Sequence, residues 1–207
     1  MKKGVFSGLI EGVSTTEFKP YNSLIRGDMA VILDRAITKF ADILSSFLKT
    51  QNQKSASTNS IAFETWEDFN GKFYDISSND YYYKSILTVC ANSYMNGVGN
   101  KAFEPQRAIT RAEFTTAIIR AYLDIITMLN KSMGKTLFIP NSNSVEFQDV
   151  PSDCWYTSCV KSAVALGIIN GDGDGNFRPN DDITRAEATA VLNRFFRCVD
   201  KDLEKIR

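Results

Sequence analysis

Apolar residues recur along this chain at spacings of three and four, the signature of helices that bury one stripe. One such stripe runs through Tyr156, Cys159, Val160, Ala163, Val164 and Ile168, with Gly167 or Gly171 placed to end it. A second follows at Ala188, Val191, Leu192, Phe195 and Val199, after a polar, glycine-rich loop whose Phe177 and Pro179 can pin it to a core. Further stripes fall at Phe114, Ala117, Ile118, Ala121, Ile125 and Leu129, and at Met29, Ile32, Leu33, Ala36, Ile37, Phe40, Leu44 and Phe47. The pattern predicts an all-α chain of helix-loop-helix units.

Those units are copies of one another. Residues 73–120 align with 147–194 at a constant offset of 74, with 17 of 48 positions identical. About three would match by chance, so one supersecondary unit is used twice. Shared residues include Phe73/Phe147, Asp75/Asp149, Tyr82/Tyr156, Asn96-Gly97/Asn170-Gly171, Phe103/Phe177, Pro105/Pro179 and the run Ile109 to Glu113/Ile183 to Glu187. A third, incomplete copy lies in front, where Gly8 to Gly12, Phe18, Pro20, Arg26, Leu33 and Arg35 keep register at an offset of 159. The expected organisation is a single body of three repeats: 1–48 (lacking its first helix), 73–129 and 147–199, joined by polar loops 49–72 and 130–146.

Thr110 to Glu113 and Thr184 to Glu187 have the Ser/Thr-x-x-Glu form of a capping box, which gives Thr110, Glu113, Thr184 and Glu187 a structural task. The arginine inside each box is harder to explain. A cation in the first turn faces the positive end of the helix dipole, yet it stands there three times, as Arg26, Arg111 and Arg185. Two explanations stay open: a partner carboxylate from the neighbouring repeat, or an external anion at the helix N-terminus. A second arginine nine residues on, at Arg35, Arg120 and Arg194, fits a surface or inter-repeat ion pair.

Composition narrows the chemistry. The 207 residues contain no histidine, which excludes Ser-His-Asp and Cys-His catalysis, and 24 basic residues balance 24 acidic ones. No net field directs the chain to nucleic acid or to an anionic membrane, and no apolar run approaches a membrane span. The start, Met1-Lys2-Lys3 followed by a short apolar stretch broken at Glu11, is no signal peptide, so a leader for an extracellular protein is expected to lie outside this sequence. Cys90, Cys154, Cys159 and Cys198 match no zinc spacing and read as free thiols. The loop Asp172-Gly-Asp174-Gly-Asn176 has alternate oxygen donors but carries Phe177 and Ile183 where a calcium loop needs glycine and glutamate, so neither metal nor cofactor is expected.

Phe147-x-Asp149-Val150, Trp155-Tyr156, Gly167 to Gly171, Phe177-x-Pro179 and Ile183 to Glu187 together resemble the S-layer homology domain. The resemblance covers the third copy along its full length, the second with Tyr81 for Trp, and the first only from Gly8. It implies a pseudo-threefold arrangement of motifs around a central three-helix bundle, with ligand grooves between neighbours. It also implies non-covalent attachment of a bacterial surface protein to a pyruvylated secondary cell-wall polysaccharide, at the cell surface. The arginine of the box is then the residue that holds the anionic sugar, which puts Arg111 and Arg185 first and Arg26 after them. Trp155, Tyr81, Asn170, Gly171, Asn96 and Gly97 complete the expected contact set.

In the first copy Leu24 to Asp28 replaces Ile-Thr-Arg-Ala-Glu, so the capping hydroxyl is gone and Gly27 loosens the turn. A poorly positioned Arg26 and at most two competent grooves are expected. A rival reading keeps the fold and makes the trio a protein-protein or surface-lattice module, with other surface-layer subunits as partners and no glycan. A glycosidase with Glu113 and Glu187 as acid and base is a further rival, weakened because both carboxylates already have capping work.

Overall fold

The computed structural model describes residues 9–12, 16–50, 72–134, 136–137 and 146–205. Gly8, the side chain of Phe47 and most of the loop 49–72 lie outside them. Among the described residues five helices alternate long and short: α1 (Arg26–Thr50), α2 (Tyr83–Ala91), α3 (Arg111–Met133), α4 (Thr157–Ala165) and α5 (Arg185–Lys205). Among the described residues the only strand-like pairings are isolated bridges such as Ser23 with Thr184 and Thr110 with Asp182, so the fold is all-α.

The chain divides into two compact units, residues 26–107 and residues 1–25 with 108–207. In the first, α2 packs on α1; in the second, α4 packs on α3, which also touches α5. A long helix therefore meets the short helix of the following copy, so the packing pair is displaced by half a period from the helix-loop-helix copy read in the sequence. The stripes are buried as the spacing predicts, from Met29 to Leu44 in α1, Phe114 to Leu129 in α3 and Ala188 to Val199 in α5. On α3 burial extends further, to Thr115, Thr116, Ile119, Tyr122 and Ile126. The Thr116 hydroxyl is buried without a hydrogen-bond partner, whereas Thr115 Oγ1 donates to the Arg111 carbonyl at 2.7 Å.

Each unit has a polar tie. In the first, Ser85 Oγ donates to Asp34 Oδ2 at 2.8 Å, joining α2 to α1. In the second, the buried Tyr122 hydroxyl of α3 donates to Asp202 Oδ2 on α5, and Lys205 Nζ donates to Asp202 Oδ1 at 2.6 Å. Leu24, Ile109 and Ile183, all fully buried, form a closed cycle of backbone bonds: Leu24 N to Ile183 O at 2.9 Å, Ile183 N to Ile109 O at 3.1 Å and Ile109 N to Leu24 O at 2.8 Å. Each sits two residues before the start of a long helix. All four cysteines are unpaired, and burial pushes the Cys90 thiol up to about 12.

The glycine-rich loops are fixed by residues that the two complete copies share. Asp75 accepts from the backbone N–H of Phe103 and of Glu104, the latter at 2.7 Å, and Asp149 accepts from Phe177 at 2.8 Å and Arg178 at 2.6 Å. Phe73 stands edge-on to Phe103, and Phe147 lies tilted against Phe177, both at 5.6 Å. Gly97 and Gly171 make room for these rings. A Cβ on Gly171 would lie 2.5 Å from Phe147 Cε1 and 2.6 Å from the Asn176 carbonyl, and one on Gly97 would meet Phe73 and Ala102 at 2.5 and 2.7 Å. Gly171→Ala and Gly97→Ala should each destabilise by about 1–3 kcal/mol, the usual range for overpacking, and read as a lower denaturant midpoint. A midpoint at or above wild type would contradict this packing.

Candidate functional site

The start of each long helix is closed by the loop of another copy. Arg26 N and Gly27 N donate to the carbonyls of Arg107 and Pro105; Arg111 N and Ala112 N donate to Asp181 and Pro179; Arg185 N and Ala186 N donate to Asn22 and Pro20, all at 2.8–3.0 Å. In α3 and α5 the third position is closed by the capping box. Glu113 N donates to Thr110 Oγ1 and Thr110 N to Glu113 Oε2; Glu187 N and Thr184 N repeat the exchange. The backbone donors that make a helix N-terminus attractive to an anion already have internal partners at these two starts.

The three arginines use the same loops. Arg26 Nε donates to the Phe103 carbonyl at 2.9 Å and Nη2 to the Asn96 carbonyl at 2.7 Å. Arg111 repeats this on Phe177 at 2.9 Å and Asn170 at 3.2 Å, and Arg185 on Phe18 at 3.0 Å and Glu11 at 2.5 Å. Each guanidinium also lies over the phenylalanine ring of that loop, 4.6 Å from the Phe103 centroid and 5.1 Å from those of Phe177 and Phe18. The acceptors are backbone carbonyls and a ring face. Arg111 adds a carboxylate, with Nη1 at 3.5 Å from Glu187 Oε1.

Arg26 is held as closely as its counterparts. It is 3% exposed and Arg185 is 5% exposed, while Arg111 keeps slightly more access to solvent. The expected loosening at Gly27 does not occur because the missing Cβ admits Tyr82, whose Cδ1 lies 2.7 Å from where that carbon would stand. Burial pulls the Arg111 guanidinium below its ordinary value against the opposing pull of Glu187. For Glu187, burial alone would raise the carboxyl, but hydrogen bonds from Thr184 and then the nearby arginines outweigh it and hold it below 4.5.

Tyr82 and Tyr156 are buried, while Tyr81 and Trp155 beside them are 66% and 61% exposed. Each exposed ring stands edge-on to its buried neighbour, at 4.8 Å for Tyr81 and 5.2 Å for Trp155, so the buried tyrosine supports a rigid aromatic surface. The Tyr81 hydroxyl donates to Asp28 in the first turn of α1, which brings Tyr81, Arg26 and the Asn96 carbonyl to one station. The second station gathers Arg111, Asn170 and Phe177; the third gathers Arg185, Glu11 and Phe18. Gly97 and Gly171 serve through the space they leave. Asp172, from the calcium-like loop, accepts from the backbone of Asp174 and Asn176. A hollow of about 170 Å³ lined by Glu146, Phe147, Val150, Ser152, Val160 and Lys161 contains none of the expected contact residues.

Removing Arg185 leaves two loop carbonyls without their donors and the Phe18 ring without its cation. Arg185→Ala should therefore cost about 2–4 kcal/mol, from charge-assisted bonds worth about 1.5–3 kcal/mol plus lost packing, measured by chemical denaturation. An unchanged midpoint would count against the staple. Glu187, with its carboxyl depressed, adds stability that is complete above pH 4.5 and declines as the pH falls through the folded value. Glu187→Gln should flatten the acid limb of a plot of Tm against pH below that point, and an unaltered limb would contradict the assignment.

Comparison with known proteins identifies the family of the two complete copies. The profile of the S-layer homology domain matches residues 72–115 and 146–189. An amylopullulanase of Thermoanaerobacterium thermosulfurigenes is 36% identical over 145 residues, 70% of this chain and 7% of that protein. A cellulosome-anchoring protein of Acetivibrio thermocellus is 29% identical over 193 residues, 92% of this chain and 36% of its own length. A surface-layer 125 kDa protein of Lysinibacillus sphaericus is 28% identical over 109 residues, 53% of this chain and 8% of its own. The chain thus spans between 7% and 36% of the length of these relatives. Residues 72–115 and 146–189, with their displaced helix pairs and loop-bound arginines, are tandem S-layer homology domains.

Proposed function

We propose that this chain is a non-covalent anchoring module of the bacterial cell surface that binds an anionic, pyruvylated secondary cell-wall polysaccharide at its arginine stations. The observation that carries the reading is the exposed aromatic, Trp155 or Tyr81, braced on a buried tyrosine at the start of the short helix that packs on the long helix carrying the arginine. A rigid ring can stack on a sugar, and a guanidinium fixed by its neighbours can meet a carboxylate without losing side-chain entropy on binding. The names of an anchoring protein and a surface-layer protein among the relatives support the same location. The catalytic name of another belongs to a protein of which this chain covers 7%.

The burial of Arg26 and Arg185 on carbonyls favours a division of labour: these two act first as staples, and Arg111, the more accessible guanidinium, is the leading ligand contact. It also gives the rival reading its foothold, in which the trio is a lattice-assembly module joined to other surface-layer subunits. Trp155→Ala combined with Tyr81→Ala separates the two without touching a buried group. Co-sedimentation with bacterial sacculi, before and after removal of the secondary polysaccharide, should show wild type pelleting only with intact walls and the double variant binding about tenfold more weakly, one or two stacking contacts' worth. Equal pelleting by both proteins, or none by wild type, would overturn the polysaccharide reading.

A further inference from the structure

The two complete copies carry the same ion pair with its charges exchanged. In the second copy Arg107 Nε donates to Glu104 Oε2 at 2.7 Å, and in the third Arg178 Nε donates to Asp181 Oδ2 at 2.7 Å. Positions 104 and 178 are equivalent at the repeat offset of 74, as are 107 and 181, so a cation stands where an anion stood. The backbone beneath is unchanged: Glu104 and Arg178 have φ of 58° and 61°, and the turn closes through Arg107 N to Glu104 O and Asp181 N to Arg178 O at 3.2 and 3.3 Å. The first copy has the same turn at Lys19, φ 51°, closed by Asn22 N to Lys19 O at 3.2 Å. All three residues lie between the phenylalanine and the proline of their loop.

That position adjoins the arginine. The carbonyl of Phe103 receives Arg26, that of Phe177 receives Arg111 and that of Phe18 receives Arg185, and the next residue in each case is Glu104, Arg178 or Lys19. The exposed side chain beside the buried guanidinium is therefore acidic at one station and basic at two. Burial and then Arg178 lower the affinity of Arg111 for a proton, while Glu187, Asp181 and Asp172 act in the opposite direction. Acids around Arg111 have internal donors: Asp181 takes Arg178, Asp172 takes two backbone N–H groups, and Glu187 closes the capping box.

We infer that the residue between the phenylalanine and the proline of each loop sets the charge preference of its station, so that the Arg111 and Arg185 stations take an anionic glycan more readily than the Arg26 station, beside Glu104. The inference rests on the anchoring reading. It assigns specificity to side chains that the fold does not need in either polarity, because the turn forms equally with Glu, Arg or Lys. With the helix donors occupied at α3 and α5, the polarity of the loop ion pair, Arg178 with Asp181 at one station and Lys19 with Glu17 at 3.3 Å at the other, decides which charge follows the carbonyl that holds the arginine.

Two reciprocal exchanges test this, each preserving net charge and the local ion pair. Arg178→Glu with Asp181→Arg gives the third loop the polarity of the second; Glu104→Arg with Arg107→Asp does the reverse. On intact sacculi carrying their secondary polysaccharide, the first should bind roughly five- to tenfold more weakly than wild type, the scale of one charge contact, and the second at least as much more tightly. The second exchange protects the test, since an unfolded protein cannot mimic a gain. If wild type pellets with intact walls and both exchanges pellet as it does, the charge rule is wrong and the anchoring reading stands. If wild type does not pellet, both fall.

Discussion

A guanidinium taken out of water must recover several kcal/mol of lost hydration, and here it does so on the backbone of a loop from another copy. Arg26, Arg111 and Arg185 each place Nε on the carbonyl before the left-handed residue of a Phe-x-Pro turn, and Nη2 on a second carbonyl of the same loop. The dependence is mutual. Without the arginine the loop has unmatched carbonyls beside a helix start, and without the loop the first two N–H groups of the helix have no acceptor. The left-handed conformations of Lys19, Glu104 and Arg178 cost about 1–2 kcal/mol each and are held because they sit between these two sets of bonds.

This resolves the arginine placed against the helix dipole. The carbonyls of the loop point their negative ends at the charge, and the phenylalanine face supplies a further negative surface, so the local field at the guanidinium is not that of an isolated helix. The carbonyl partners stand beside the two explanations left open by the sequence. The partner carboxylate from the neighbouring repeat is present at Arg111, where Glu187 lies at 3.5 Å. Carbonyl acceptors belong to every residue and leave no mark in side-chain identity, so no reading of residue types could have named them.

Much else was legible. The apolar spacing located the buried stripes, and the boxes beginning at Thr110 and Thr184 close as their residues require. Asp75 and Asp149 were visible as shared residues, but their task, holding two backbone N–H groups 28 and 29 residues ahead, appears only in the fold. The half-period shift of the packing pairs was not legible, because a repeat fixes its period and not the point at which one structural unit ends. Gly27 misled for a different reason. Helix propensity predicts loosening from glycine, whereas the closeness of Tyr82 to its α-carbon makes that absence of a side chain part of the packing.

Internal repetition also separates what the fold requires from what a station does. Within one chain, positions that hold the loop to the helix keep their identity between the complete copies: Phe103 and Phe177, Pro105 and Pro179, Arg111 and Arg185, Thr115 and Thr189. Thr115 and Thr189 show why, since each hydroxyl donates to the carbonyl of the arginine four residues before it at 2.7 Å. Exposed positions on the same loops differ, and at 104/107 against 178/181 they differ as a pair, so that the ion pair survives while its field reverses. A single reversed charge would have left two like charges at ion-pair distance. The paired change keeps the turn and its ion pair and reverses which member follows the phenylalanine, so the loop geometry constrains the pair and leaves its polarity free.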